Sequence, residues 1–320
     1  MDAKHMETPP RSTVNRELQA LLSRNIRHNI GENMIRLVLF LCAALSVLTT
    51  IGVIVSLGSE SLAFFRDPAV TLWDFLTDRE WTPFFSEKHF GIAPLISGTL
   101  LVTFVALSVG IPLGLGSAVF LSEFAGLNAR RILMPILEVL AGIPTVVLGF
   151  FALFSITPIL KSFVPGLGTQ NALAAGIVMG FMILPTVSSI SVDAMQAVPQ
   201  GLRDAAYGLG ATKAEVVNKV VIPAALSGIV AAFILAMSRA IGETMIVTLA
   251  AGAKPSITFD PRDAVATMTA FIANAAQSDQ AAGSVGARAL FAVGAALFVI
   301  TLSLNLISQQ VVARFSEKYD

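Results

Sequence analysis

Residues 204–223 read DAAYGLGATKAEVVNKVVIP. This is a polar stretch between two apolar segments, each long enough to cross a bilayer, and its pattern predicts a helix, a turn and a second helix. Asp204-Ala205-Ala206 is followed after three residues by Gly210, and after nine more by Val220-Val221-Ile222-Pro223. The small side chains of Ala205 and Ala206 let a helix lie close to a partner. Gly210 has no Cβ and suits a sharp turn. Pro223 fits near the start of the next helix, where its missing N–H costs little.

The composition around this stretch is that of a polytopic membrane protein. Of 320 residues, 55% are hydrophobic and 13% charged, against about 25% charged in ordinary soluble domains. Mean hydropathy is +0.76. The formal net charge of zero argues against a nucleic-acid partner. The single cysteine, Cys42, rules out an intrachain disulfide framework and a zinc cluster. Residues 1–33 are polar and carry Arg11, Arg16, Arg24 and Arg27, so no cleavable signal pattern is expected there.

A bilayer span needs about 20 mostly apolar residues. Six stretches meet or approach this: 35–57, 93–121, 132–160, 172–190, 224–250 and 287–308. They predict an all-α fold of six transmembrane helices. A segment 1–34 precedes them, a loop 58–92 follows the first, and a core 93–310 holds the other five. Pro112, Pro144 and Pro185 interrupt three spans, as membrane helices tolerate when neighbours satisfy the freed backbone groups.

Lys and Arg set the expected orientation. With the N-terminus inside, thirteen of them fall in inner segments, among them Arg130, Arg131, Arg203, Lys213 and Lys219, and six in outer ones. Arg239 and Arg288 lie in or at the edge of spans and are left out. The bias places both termini, the tail 311–320 and the loop 191–223 in the cytoplasm. Loops 58–92 and 251–286 then lie outside. The first mixes Trp73, Phe75, Trp81, Phe84 and Phe85 with charges, which suits an amphipathic segment at the membrane interface. The second carries a helical-looking stretch 264–276. Either could meet an external partner or serve only as a connector.

The spacing in 204–223 resembles the EAA loop, E-A-A-x3-G-x9-I-x-L-P, of ABC importer permeases. Asp204 departs from the usual Glu, keeping the charge on a shorter arm. Four further segments resemble the phosphate-specific transport permeases: FGIAPLISGTLLVT (90–103), AGIPTVVLGFF (141–151), MILPTVSSISVDAMQAVP (182–199) and SRAIGETMIVTLAAG (238–252). GETMIV (242–247) and TMTAFIA (267–273) are closer to the PstC type than to its PstA-type companion. The resemblance covers about 90–310. It implies a type I importer permease in a bacterial inner membrane, with a cytoplasmic coupling helix. Asp204, Ala205, Ala206, Gly210, Ile222 and Pro223 would dock on an ATPase. The implied partners are a homologous PstA-like permease, a dimeric nucleotide-binding ATPase, an external phosphate-binding protein and membrane lipid.

Arg239 and Glu243 stand inside the fifth stretch. Ionisable groups at such depth are costly and face a bundle interior or an aqueous path. Counted from Ala224, Arg239 lies roughly 22 Å along a continuous helix, and the spacing puts both charges on one face. Beside them run Gly228, Ala232, Ala236 and Ala240, small enough for close helix approach. Arginine's planar fork suits a tetrahedral oxyanion, and Glu243 could hold Arg239 between transport events. The other reading is a buried ion pair that only fixes packing. Glu138 is a further candidate in the third span, or an interfacial residue. Ser97, Thr99 and Thr103 could line a path or bond to their own helix.

The chain has no G-x-x-x-x-G-K-[ST] motif, so ATP and Mg are expected in a partner subunit and no cofactor here. No H-E-x-x-H or other metal-ligand set occurs, and no catalytic constellation is present. His5, His28 and His89 all lie outside the spans. Taken with these absences, the resemblance implies a transport subunit for inorganic phosphate, not an enzyme. An importer permease for another oxyanion or small solute remains the alternative, ahead of a secondary transporter or a membrane-embedded enzyme.

Overall fold

The structure, a computed structural model, describes residues 11–68, 70–278, 281 and 283–315, with side chains between Glu32 and Gln310. Lys4 and His5, and residues 316–320 of the expected tail, lie outside the described residues. The chain divides into a unit Met1–Ser56 and a unit Leu57–Asp320. Helix α1 (Arg11–Phe65) begins well before the expected first span and ends beyond it. From residue 32 to 56 every residue except Ala44 is exposed, including Cys42.

The larger unit is helical, with one isolated bridge between Trp81 and Phe90 among the described residues. Its helices are α2 (Leu72–Thr77), α3 (Ala93–Val119), α4 (Leu127–Gly142), α5 (Thr145–Phe151), α6 (Thr157–Lys161), α7 (Ala172–Gln196), α8 (Gln200–Gly208), α9 (Lys213–Val216), α10 (Ile222–Ala224), α11 (Leu226–Ile241), α12 (Met268–Ala276) and α13 (Val285–Phe315). Among the described residues, four helical segments are long and apolar enough to cross a membrane: Glu32–Phe65, Ala93–Phe124, Ala172–Gln196 and Val285–Gln310. Two bent pairs, Leu127–Gly142 with Thr145–Lys161 at 90° and Lys213–Ala224 with Leu226–Ile241 at 69°, raise the number to six if each is one span.

One bend falls at an expected proline and the other does not. The stretch 132–160 is not one helix: Ile143 and Pro144 are extended between α4 and α5. Proline removes a donor and pushes the residue before it out of the helical region. Pro112 and Pro185, also expected to interrupt their spans, stay inside α3 and α7; α4 already ends at Gly142, two residues before Pro144, so the chain is weak there. The stretch 224–250 bends at Ala225, just after Pro223, and α11 then stops at Ile241.

The core is built on α3 and α7, which meet through glycines. A Cβ on Gly110 would lie 2.6 Å from Ile183 Cγ1, one on Gly176 2.5 Å from Val105 Cβ, and one on Gly180 2.8 Å from Val109 Cβ. Small residues allow this approach where lipid supplies no hydrophobic drive. Ala232, Ala236 and Ala240 of α11 are buried, and a Cβ on Gly228 would strike Ala194 of α7, so the small-residue stripe packs as expected.

Each end of α3 carries its own cluster. At the first end, Phe64, Phe75, Trp81, Phe90 and Phe271 meet edge to face with centroids 4.9–6.4 Å apart, an arrangement the ring quadrupoles favour. Phe75 and Trp81 are thus interior, against the expectation of an interfacial segment, while Trp73 and Phe85 stay exposed. The predicted helix at 264–276 starts only at Met268, capped by Thr267. At the other end, Leu121, Val192, Met195, Val216, Val221 and Ile229 seat the 200–223 segment.

Candidate functional site: the 200–223 loop and the surface around Arg239

Helix α8 carries Asp204, Ala205 and Ala206 and buries none of its residues. Asp204 is exposed and accepts from Gln200 Nε2 at 3.4 Å. The helix ends as the sequence predicts. Gly210 sits at φ +83°, its N–H donates to Tyr207 O at 2.9 Å, and Ala211 N–H donates to Ala206 O at 3.1 Å. These two bonds close a Schellman cap, which favours glycine at that position. The next helix opens on a capping box that the sequence reading passed over. Glu215 N–H donates to Thr212 Oγ1 at 3.4 Å, and Thr212 N–H donates to Glu215 Oε2 at 3.0 Å. T-x-x-E is itself the sequence signature of such a start. Ile222 packs partly buried into the cluster around Val216, and Pro223 is exposed in α10.

A second feature was missed entirely. Arg203 Nη1 donates to both carboxylate oxygens of Glu123 at 2.8 Å, and Nη2 donates to Met195 O at 2.7 Å. The side chains are 13% and 7% exposed. Lys213 Nζ lies 5.1 Å over the Phe124 ring. Nothing local links positions 80 residues apart, so this pair had no signal in the sequence.

Arg239 and Glu243 are placed close together but not as an ion pair. Arg239 is exposed in the last turn of α11, beside the buried Ala236 and Ala240. Its Nη1 donates to Thr186 Oγ1 of α7 at 3.2 Å. Glu243 lies past the break at Gly242, where its Oε1 accepts from the N–H of Met245 and Ile246 at 3.0 and 3.2 Å. No ion pair joins the two among the described residues. The expected shared helical face is lost because α11 ends between them, and Glu243 instead caps the start of the following turn, which becomes π-helical at Val247–Ala251.

Around these residues the structure gathers hydroxyls. Glu138 of α4 is exposed and lines a cavity of about 340 Å³ with Thr186, Ser188 and Ser189 of α7. Ser188 Oγ is buried with no hydrogen-bond partner. On the other side, Thr99, Thr103, Thr267 and Thr269 surround Glu243. Thr99 Oγ1 donates to Leu95 O, as expected of a hydroxyl satisfying its own helix, but also accepts from Met268 N–H at 3.0 Å. Ser97 reaches Thr258 O rather than its own helix, and Thr103 Oγ1 has no partner.

The family described as binding-protein-dependent transport system inner membrane component matches residues 110–319, which hold both the loop and Arg239. The chain is 33% identical over 297 residues to the probable ABC transporter permease protein YqgH of Bacillus subtilis, covering 92% of this chain and 96% of that one. It is 34% identical over 289 residues to the phosphate transport system permease protein PstC of Mesorhizobium japonicum, covering 83% and 87%. Among solved structures, a bacterial ABC transporter involved in the import of alginate aligns with TM-score 0.58 at 18% identity, covering 87% of this chain and 96% of that one. The MetNI methionine ABC transporter aligns with TM-score 0.53 at 17% identity, covering 71% and 95%. These structures speak to the fold alone.

Proposed function

Because this chain belongs to the binding-protein-dependent transport system inner membrane components, we propose that it is the permease subunit through which an ATP-driven importer moves inorganic phosphate. One observation carries the substrate class. Arg239 is a permanent cation in the last turn of α11, beside the buried Ala236 and Ala240, exposed on this subunit, with a neutral hydroxyl as its protein partner. An unpaired charge there is costly, and a transient anion offsets it. The resemblance to phosphate permeases supports phosphate as that anion.

The surface holding Arg239 then faces the path, completed by a homologous PstA-like permease. Thr186, Ser189 and Glu138 border the same path on this subunit. Glu243 contributes by holding the backbone next to Arg239 rather than by neutralising it. The thirteen-to-six Lys/Arg bias supports a cytoplasmic side for both termini and α8. There α8 docks on a dimeric ATPase, which holds ATP and Mg. The aromatic cap lies outside and receives a phosphate-binding protein. ATP binding moves the coupling helix and opens the path outward, and hydrolysis resets it.

The test is uptake in vesicles carrying the whole complex, with labelled phosphate against competing oxyanions. ATP-dependent uptake blocked by excess phosphate supports the reading. Preferential block by sulfate or molybdate reassigns the substrate, and uptake without an ATPase subunit removes the importer class.

A further inference from the structure

We propose that Arg203 and Glu123 are positioning residues that carry the motion of the coupling helix into the membrane bundle, so that α8 and the loop-proximal end of α3 move as one body. This rests on the importer reading above. Three observations converge on it.

The first is how α8 is held. With none of its residues fully buried and Leu202, Tyr207 and Leu209 exposed, hydrophobic packing ties the helix to its own chain only weakly. Its firm tether is the Arg203 guanidinium, bonded to both oxygens of Glu123 and to the carbonyl of Met195 at the end of α7. Charge-assisted bonds to a planar fork are strong and directional. An exposed ion pair would yield to solvent. This one is nearly enclosed, and losing either partner strands a charge.

The second is where Glu123 sits. It belongs to a π-helical turn, Phe120–Phe124, that continues α3, closed by Ala125 N–H donating to Phe120 O at 2.7 Å. Such turns are irregular and concentrate at functional sites.

The third is that the same turn receives other elements of the loop. Lys213 of α9 lies over Phe124, and Ser122 Oγ donates to Met195 Sδ at 3.2 Å. Five residues at the end of α3 therefore gather α7, α8 and α9. A push on α8 from a partner reaches α3, which packs along α7 through the glycines, without first having to bend the Gly210 turn.

The experiment uses the full complex in sealed vesicles and reads ATP hydrolysis and phosphate uptake in the same preparation. Glu123→Gln keeps an acceptor but removes the charge, and Arg203→Lys keeps the charge but removes the fork. Each should leave ATP hydrolysis running while uptake per ATP falls about tenfold or more, within the usual range of coupling between sites. A purely structural role would lower both together.

A second measurement stands if either variant fails to assemble. Gly116 and Gly208 both have open space where a Cβ would project. With Cys42→Ser in the otherwise native chain, spin labels at 116 and 208 should keep one separation in nucleotide-free and ATP-trapped complexes. Native uptake per ATP in Glu123→Gln, or a nucleotide-dependent separation in the parent, overturns the proposal. Absence of ATP-driven phosphate uptake in the parent would instead remove the importer reading.

Discussion

Arg239 and Glu243 stand four residues apart and do not pair: Arg239 donates to Thr186 Oγ1 from the last turn of α11, and Glu243 accepts the N–H groups of Met245 and Ile246 beyond the Gly242 break. The two charges therefore do different work. Glu243 shapes the backbone, and Arg239 is left with its charge unmatched by any acid among the described residues.

Separate roles predict additive effects. Glu243→Ala removes the acceptor for two N–H groups, as loss of a helix cap does, at about 0.5–2 kcal/mol. Glu243→Gln, which still accepts, should cost less. In a double-mutant cycle on thermal stability in detergent, Arg239→Gln and Glu243→Gln should add within about 0.5 kcal/mol. A large coupling energy would restore the ion pair.

At Gly210 the penalty for substitution is conformational alone, since a Cβ there would meet no atom within 4 Å while φ is +83°. A non-glycine residue in this region costs about 1–2 kcal/mol, and asparagine bears it best. Gly210→Val should leave the protein inserted but lower ATPase co-purification and uptake, with Gly210→Asn between it and the parent. Equal activity in all three would separate the Schellman turn from coupling.

At Gly180 space decides instead. Its Cβ would press on Val109 Cβ and lie 2.9 Å from Ala106 O, whereas a Cβ on Gly116 meets nothing. Gly180→Ala should destabilise the bundle by roughly 1–3 kcal/mol, as overpacking does, and Gly116→Ala should be nearly neutral. Thermal midpoints in one detergent compare them directly.

The loop between α1 and α3 carries a pH dependence. His89 Nδ1 is 3.0 Å from Asp78 Oδ2, with Glu80 3.7 Å from the other ring nitrogen. The hydrogen bond to Asp78 raises the His89 pKa above 6.5. Burial pushes the Asp78 carboxyl up, but bonds from Glu80 N–H, His89 and Arg79 N–H bring it below 3.8. The raised histidine adds stability that is complete below 6.5 and lost as pH rises through its folded value. The lowered carboxylate adds stability that is present above 3.8 and lost as pH falls through its own. Amides of 78–91 should exchange most slowly between those limits, after correction for intrinsic rates. His89→Gln should remove the loss on the alkaline side, and an unchanged profile would show that the pair does not hold the loop.

What the sequence made legible follows from what is local. The spans α3, α7 and α13 are runs of apolar residues, and the end of α8 is written in Gly210, so each was readable. The bend at Ala225 was not, nor was which of Pro112, Pro144 and Pro185 breaks its helix, because the three look alike in sequence and two stay helical once neighbours pack around them. The Arg239–Glu243 pairing failed on the assumption of an unbroken helix, which Gly242 and the capping role of Glu243 defeat. Glu123 and Arg203 met only through tertiary structure, as did Thr186 and Arg239.

The decisive measurement is phosphate uptake by Arg239→Gln, alone and with Glu243→Gln, in vesicles where assembly with the ATPase is verified by co-purification. Glutamine keeps a donor without the charge and cannot offset an anion in a low-dielectric path. Both variants should assemble, and uptake should be abolished in each. Near-native uptake in the single variant, or its recovery in the double one, would contradict a role for Arg239 in the anion path.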